Sequence, residues 1–132
     1  MSEADLDDAA FFASFEAGTL EPFRHRDHIR MAWLYLARAP QEQAAQDVIA
    51  GIRRFALAKG ATGLYHETLT RFWIHLVTQH RAQRACADSL AFLQAHPGLL
   101  DKTLVERHYS PASLATAAAK ERWLDPDRQP LP

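Results

Sequence analysis

Three histidines have the residue type and spacing that suit metal binding. His25 and His28 lie three residues apart, and on a helix this spacing places both side chains on one face, roughly 5–6 Å apart at Cβ. His66 begins another apolar segment and heads its inward face. If the two helices pack side by side, the three imidazoles would leave a tetrahedral zinc with an open position, as in catalytic sites. Imidazole also binds iron, copper and nickel, so the pattern predicts a divalent transition metal without fixing which one.

Neighbouring residues extend this hypothesis to chemistry. Glu67 adjoins His66 and is predicted to be a catalytic proton-transfer group or a further ligand, while Asp27 would orient a ligand imidazole. Trp33, Tyr65 and Trp73 are predicted to line a substrate pocket. A metal-bound water in such a site would support hydrolase or oxidoreductase chemistry.

Metal-free alternatives fit the same residues. His66 could hydrogen-bond a backbone carbonyl or Tyr35 instead of an ion. The protein would then be a helical interaction module, in which an apolar groove or an exposed patch of Phe11, Phe12 and Phe15 holds a partner protein or pairs two copies in a homodimer. A third hypothesis is a module that binds a small aromatic or acyl molecule.

The elements that must position these residues are helices. Glycine, proline and capping residues divide the chain, and the apolar periodicity between them is helical. The segment from Ile29 to Ala37 is apolar nearly all round, which is typical of a central helix. The expected fold is all-α, an irregular bundle of five to seven helices in a single domain spanning 1–132, with an extended tail at about 125–132. The predicted helices cover 3–17, 24–39, 40–59, 64–83, 84–95, 99–107 and 111–123.

Composition narrows the classes of partner. The 15 Lys and Arg residues nearly balance the 16 Asp and Glu residues, which disfavours nucleic acid because phosphate binding usually requires a basic excess. No apolar run is long enough to span a membrane, and the acidic N-terminus is unlike a signal peptide. A lone cysteine, Cys86, fits the reducing cytoplasm. The expected partner is a small molecule or a protein.

Several segments together resemble those of a set of small all-helical bacterial proteins that have no established activity. The resemblance spans most of the chain, from about Phe15 to the end, and it implies a bacterial, cytoplasmic protein. At the level of fold alone, a three-histidine site on a helical bundle is also similar to the metal-dependent DinB-like proteins. The segments are Phe23-x-His25-x-x-His28 with Ala32-Trp33-x-Tyr35-Leu36, then Tyr65-His66-Glu67-Thr68-Leu69-Thr70-Arg71-Phe72-Trp73, and finally Tyr109-Ser110 with Pro126-Asp127 and Pro130-Leu131-Pro132.

Overall fold

The fold is all-helical, as the sequence predicts. In the computed structural model, which describes residues 5–132, seven α-helices and three 3₁₀ helices are present, and this part of the chain contains no strand. The α-helices are α1 (Asp8–Glu16), α2 (His25–Leu36), α3 (Gln41–Ala58), α4 (Glu67–Gln83), α5 (Ser89–Ala95), α6 (Pro111–Leu114) and α7 (Ala117–Glu121); the 3₁₀ helices are η1 (Thr62–Leu64), η2 (Pro97–Leu100) and η3 (Lys102–Arg107).

Local capping interactions set most of the helix starts. The side chains of Asp7, Asp88, Ser110 and Thr116 each accept a backbone N–H from the residue three positions later, which satisfies an amide that would otherwise lack a partner. Thr116 therefore begins a separate helix, and the single helix predicted over 111–123 is wrong because it is divided into α6 and α7. The helix predicted over 99–107 is likewise replaced by η2 and η3.

Helix α2 is the centre of the bundle. It packs against α1, α3, α4, α5 and η2, and every residue from Ile29 to Leu36 is buried. The prediction of a central helix from its apolar circumference is confirmed. Because α2 has a different neighbour on each side, residues three positions apart on it can face different partners.

Helix α1 closes one side of the core with three phenylalanines. Phe11 and Phe15 are each 1% exposed and Phe12 is also buried. The prediction that these residues form an exposed patch for a partner or a second copy is wrong, because their rings pack inward. Phe15, for example, stacks on Phe55 of α3 with ring centroids 5.3 Å apart.

A buried arginine fastens α1 to the rest of the bundle. Arg30 of α2 is 2% exposed; its Nε donates to Ser89 Oγ at 2.8 Å and its Nη2 donates to the Leu6 carbonyl at 2.7 Å. The Asp8 carboxylate lies 3.3 Å from the guanidinium, and the group sits over the Phe11 ring. A buried charge requires this degree of pairing.

Beyond α7 the chain contains no helix, as the sequence predicts for the tail, and it returns across the bundle. The Arg128 amide donates to the His108 carbonyl at 3.0 Å, and the Asp127 carboxylate accepts from Ser110 Oγ at 2.6 Å. Thr68 of α4 joins this segment through an Oγ1 that donates to the Arg122 carbonyl at 2.7 Å. Across residues 5–132, none of the helices combines the length and the apolar character that crossing a bilayer requires.

Candidate functional site

His25 lies on the side of α2 that faces α4 and η2. Its Nε2 is 2.8 Å from the Leu99 carbonyl oxygen, to which it donates, and its ring contacts the Trp73 ring with centroids 4.4 Å apart. Burial lowers the pKa of His25, although the bond to Leu99 partly opposes this shift. His25 therefore links α2 to its neighbours through a backbone acceptor.

His66 is the N-cap of α4 and uses both of its ring nitrogens. Nδ1 accepts the Leu69 amide at 3.1 Å, and Nε2 lies 2.8 Å from the Leu114 carbonyl oxygen. Since an imidazole nitrogen that accepts an N–H carries no proton, the other nitrogen must be the donor to Leu114. Neither nitrogen is then free to bind a metal.

The structure does not bring the three predicted ligands together. Helices α2 and α4 do pack side by side, but His66 points toward α6, His25 toward η2, and His28 toward α3. Within residues 5–132 there is no group of three or more His, Cys, Asp or Glu side chains that could hold a metal ion. Asp27 does not orient a ligand either, because it is buried and accepts the Arg24 amide at 2.8 Å at the start of α2.

Glu67 is the buried carboxylate at the centre of an ionic cluster whose two arginines are exposed. It accepts Tyr65 Oη at 2.5 Å and Arg71 Nε at 2.5 Å, and Arg53 approaches at 3.4 Å. Burial alone would raise the pKa of Glu67, but the hydrogen bonds from Tyr65 and Arg71 and the two positive charges lower it below its usual value. The carboxylate is therefore ionised and occupied by donors, which is unlike a general base waiting for a substrate proton.

The same cluster fixes the Tyr65 ring. Burial, together with the adjacent carboxylate of Glu67, raises the pKa of Tyr65 to about 12, so its hydroxyl stays protonated and donates to Glu67. On the ring face, the Arg53 guanidinium lies 4.8 Å from the centroid. Tyr65 is thus held by Glu67 at its hydroxyl and by Arg53 at the face of its ring.

Beside Tyr65 there is an apolar pocket of about 310 Å³. It lies between the segment entering α2, the second half of α3, and η1. Aromatic rings form much of its wall, and the rings of Phe23 and Phe55 touch with centroids 4.5 Å apart. The lining residues are Phe23, His28, Ile52, Phe55, Ala56, Lys59, Ala61, Leu64 and Tyr65.

His28 is the polar group within this wall. Its ring packs on Phe23 with centroids 4.1 Å apart, and no hydrogen bond is found for it among the described residues. Burial, reinforced by the nearby His25, lowers the pKa of His28 to about 4, with Asp27 opposing the shift only in part. The imidazole is neutral near pH 7 and offers one N–H donor and one nitrogen acceptor.

Of the three predicted pocket residues, only Tyr65 lines this cavity. Trp33 is buried in the core beside Phe92, with ring centroids 6.2 Å apart, and Trp73 packs on Phe72 and His25. The apolar stripe of α3 was visible in the sequence, but nothing local showed that it borders a cavity instead of solid core.

A larger cavity, of about 550 Å³, lies between the start of α1 and the start of α2. Its walls are charged, and five of the six charged lining residues are paired: Arg26 with Asp5 at 2.8 Å, Arg24 with Asp27 at 3.2 Å, and Arg30 with Asp8 at 3.3 Å, whereas Glu21 is in none of the ion pairs among the described residues. Because the protein satisfies most of these groups itself, the cavity has less to offer a ligand than the apolar pocket does.

No family model, curated protein or solved structure matches this chain. The resemblance to small bacterial proteins therefore remains a prediction from sequence. A functional proposal has to depend on the geometry of the pocket.

Proposed function

We propose that this protein binds a small, largely apolar molecule, aromatic or acyl in character, in the pocket between α3, η1 and the start of α2. The observation that carries the proposal is an aromatic-walled cavity that contains a neutral histidine for which residues 5–132 provide no hydrogen-bond partner. Small-molecule sites combine an apolar wall with a few polar groups that fix the orientation of the ligand. Here the wall is Phe23, Phe55 and Tyr65, and the orienting group is His28.

The size of the pocket favours a two-ring compound. A dry apolar cavity of roughly 150 Å³ accommodates benzene, and this one measures about 310 Å³. Leu64 lines the pocket and is 82% exposed. A bound apolar molecule would cover part of this leucine, which adds to the favourable burial of apolar surface.

The wall is organised before the ligand arrives. Tyr65 is held by Glu67 and Arg53, and Phe55 is packed between Phe15 and Phe23. A site whose side chains are already ordered loses less conformational entropy when it binds. The lining also favours binding over catalysis, since burial lowers the pKa of His28 to about 4, which is too far below neutral pH for an efficient general base.

Binding can be tested with naphthalene-1-acetamide, an uncharged two-ring probe, by calorimetry and by amide chemical shifts of the labelled protein. We expect shifts concentrated at the lining residues. Ala56→Phe should abolish binding, because Ala56 lines the pocket and the larger ring would fill it. Ala50→Phe is the matched control, since Ala50 is an exposed residue of the same helix outside the pocket.

Two outcomes would overturn the proposal. One is the absence of binding to the wild-type protein. The other is equal binding to the Ala56→Phe and Ala50→Phe variants, which would place the probe elsewhere on the molecule.

A further inference from the structure

We propose that the ligand of this pocket is an organic anion, an apolar body with a carboxylate that pairs with Lys59 at the rim. The inference rests on the proposed function and adds the charge of the ligand to it. It follows from the arrangement of charged groups around the cavity, which is asymmetric.

Lys59 is the only residue of the lining that carries a formal charge near neutral pH, and no carboxylate lines the pocket. Its Nζ lies 5.6 Å from the centroid of the Phe55 ring, so the ammonium stands beside the aromatic wall. Lys59 is exposed, and none of the ion pairs among the described residues involves it. The ammonium is therefore available to a ligand.

The ionic cluster that holds Tyr65 also carries a positive net charge. The cluster contains one carboxylate, Glu67, and two guanidiniums, Arg53 and Arg71, which sum to a net charge of +1. Arg53 is exposed and lies over the face of the Tyr65 ring, 4.8 Å from its centroid. An anion in the pocket would be attracted by both Lys59 and this cluster, although solvent screens the second contribution more strongly.

The C-terminus of α3 does not cancel this attraction. The carbonyls at a helix end carry partial negative charge. Here three of them are hydrogen-bonded by backbone amides: the amides of Lys59, Gly60 and Ala61 donate to the carbonyls of Phe55, Leu57 and Ala56, respectively. Gly60 makes this closure possible with a φ of 67°. Three of the last four carbonyls of α3 are thus occupied by backbone donors, which leaves the Lys59 ammonium as the full formal charge at the rim.

Cationic ligands fit the site poorly. Aromatic walls can bind ammonium groups, but Lys59 would repel one at the rim.

The test compares three probes that share one ring system: naphthalene-1-acetate, naphthalene-1-acetamide and (1-naphthyl)methylammonium. Because an exposed ion pair contributes roughly 0.2–1 kcal/mol, we expect the acetate to bind up to about fivefold more tightly than the acetamide. The ammonium compound should bind most weakly. The preference for acetate should shrink as sodium chloride is added.

Two variants separate the role of Lys59 from general electrostatics. Lys59→Gln should lower the ratio of acetate to acetamide affinity toward one, and Lys120→Gln, at an exposed position on α7, should leave that ratio unchanged. Equal affinities of the wild-type protein for acetate and acetamide, or an affinity ratio that is the same in Lys59→Gln and Lys120→Gln, would overturn the anion inference and leave the pocket intact. Failure of acetamide and acetate alike to bind would overturn both proposals.

Discussion

Replacing His28 with glutamine should make the protein less sensitive to acid. Burial lowers the pKa of this histidine from 6.5 to about 4. Since one pKa unit corresponds to about 1.4 kcal/mol, the shift amounts to about 3 kcal/mol of pH-dependent stability. This is a large fraction of the roughly 5–15 kcal/mol by which a domain is normally stable.

The sign follows from proton uptake. In the unfolded chain His28 gains a proton as the pH falls through about 6.5, whereas in the folded protein it does so only near pH 4. Between these values the unfolded state binds more protons, so the free energy of unfolding decreases as the pH falls. The contribution of His28 to stability is complete above pH 6.5 and is lost progressively down to pH 4.

Urea denaturation of the wild-type protein and the His28→Gln variant at several pH values between 7.5 and 4 measures this loss. Glutamine keeps a polar group in the pocket but cannot be protonated, so the variant should lose about 3 kcal/mol less over this range. His75→Gln serves as a control, because His75 lies outside the pocket and contacts the Pro132 carbonyl. Identical pH dependence of the wild-type protein and His28→Gln, or an NMR titration of His28 with a midpoint above pH 6, would refute the reasoning.

Two further predictions concern other parts of the molecule. Thr68→Val should reduce the free energy of unfolding by about 1–3 kcal/mol, because the isosteric valine leaves the Arg122 carbonyl and the Leu124 amide without their partner; urea denaturation measures the loss, and unchanged hydrogen exchange at Leu124 would contradict it. Protein purified without a histidine tag and incubated with zinc, iron, copper or nickel should retain far less than one ion per chain after gel filtration, since the histidines do not converge. Stoichiometric metal that is lost in His66→Ala would instead restore the three-histidine hypothesis.

Much of the secondary structure was predictable because its causes are local. Apolar spacing, prolines and side-chain caps act within a few residues, so the positions of α2, α3 and α4 agree with the predicted segments to within about three residues. The division of the last helix at Thr116 is local as well. Its sequence signal is a threonine whose hydroxyl accepts the backbone amide three residues later, and this signal is weaker than that of a glycine or a proline.

The candidate site was predicted only in part. Tyr65 and His28 line the pocket, and the sequence pattern predicts Tyr65 as a pocket residue and His28 as a metal ligand. Phe55 and Lys59 were missed as site residues, because the difference between a helix face packed against core and one bordering a cavity depends on the element opposite. That element is η1 with Leu64, which follows the turn at Gly60, contains Gly63 and shows no helical periodicity.

The sequence by itself determined the all-helical class, the central place of α2 and the short spacing between His25 and His28. Only the tertiary structure decided what those histidines do. Residues three positions apart on a helix differ in direction by about 60°, and on a helix surrounded by neighbours that angle is enough to place His25 against η2 and His28 against α3. His66 is also directed elsewhere, because its Nε2 donates to the carbonyl of Leu114, 48 residues further along the chain. Helix formation depends on neighbours in sequence, whereas the meeting of side chains depends on how each helix is rotated in the packed bundle.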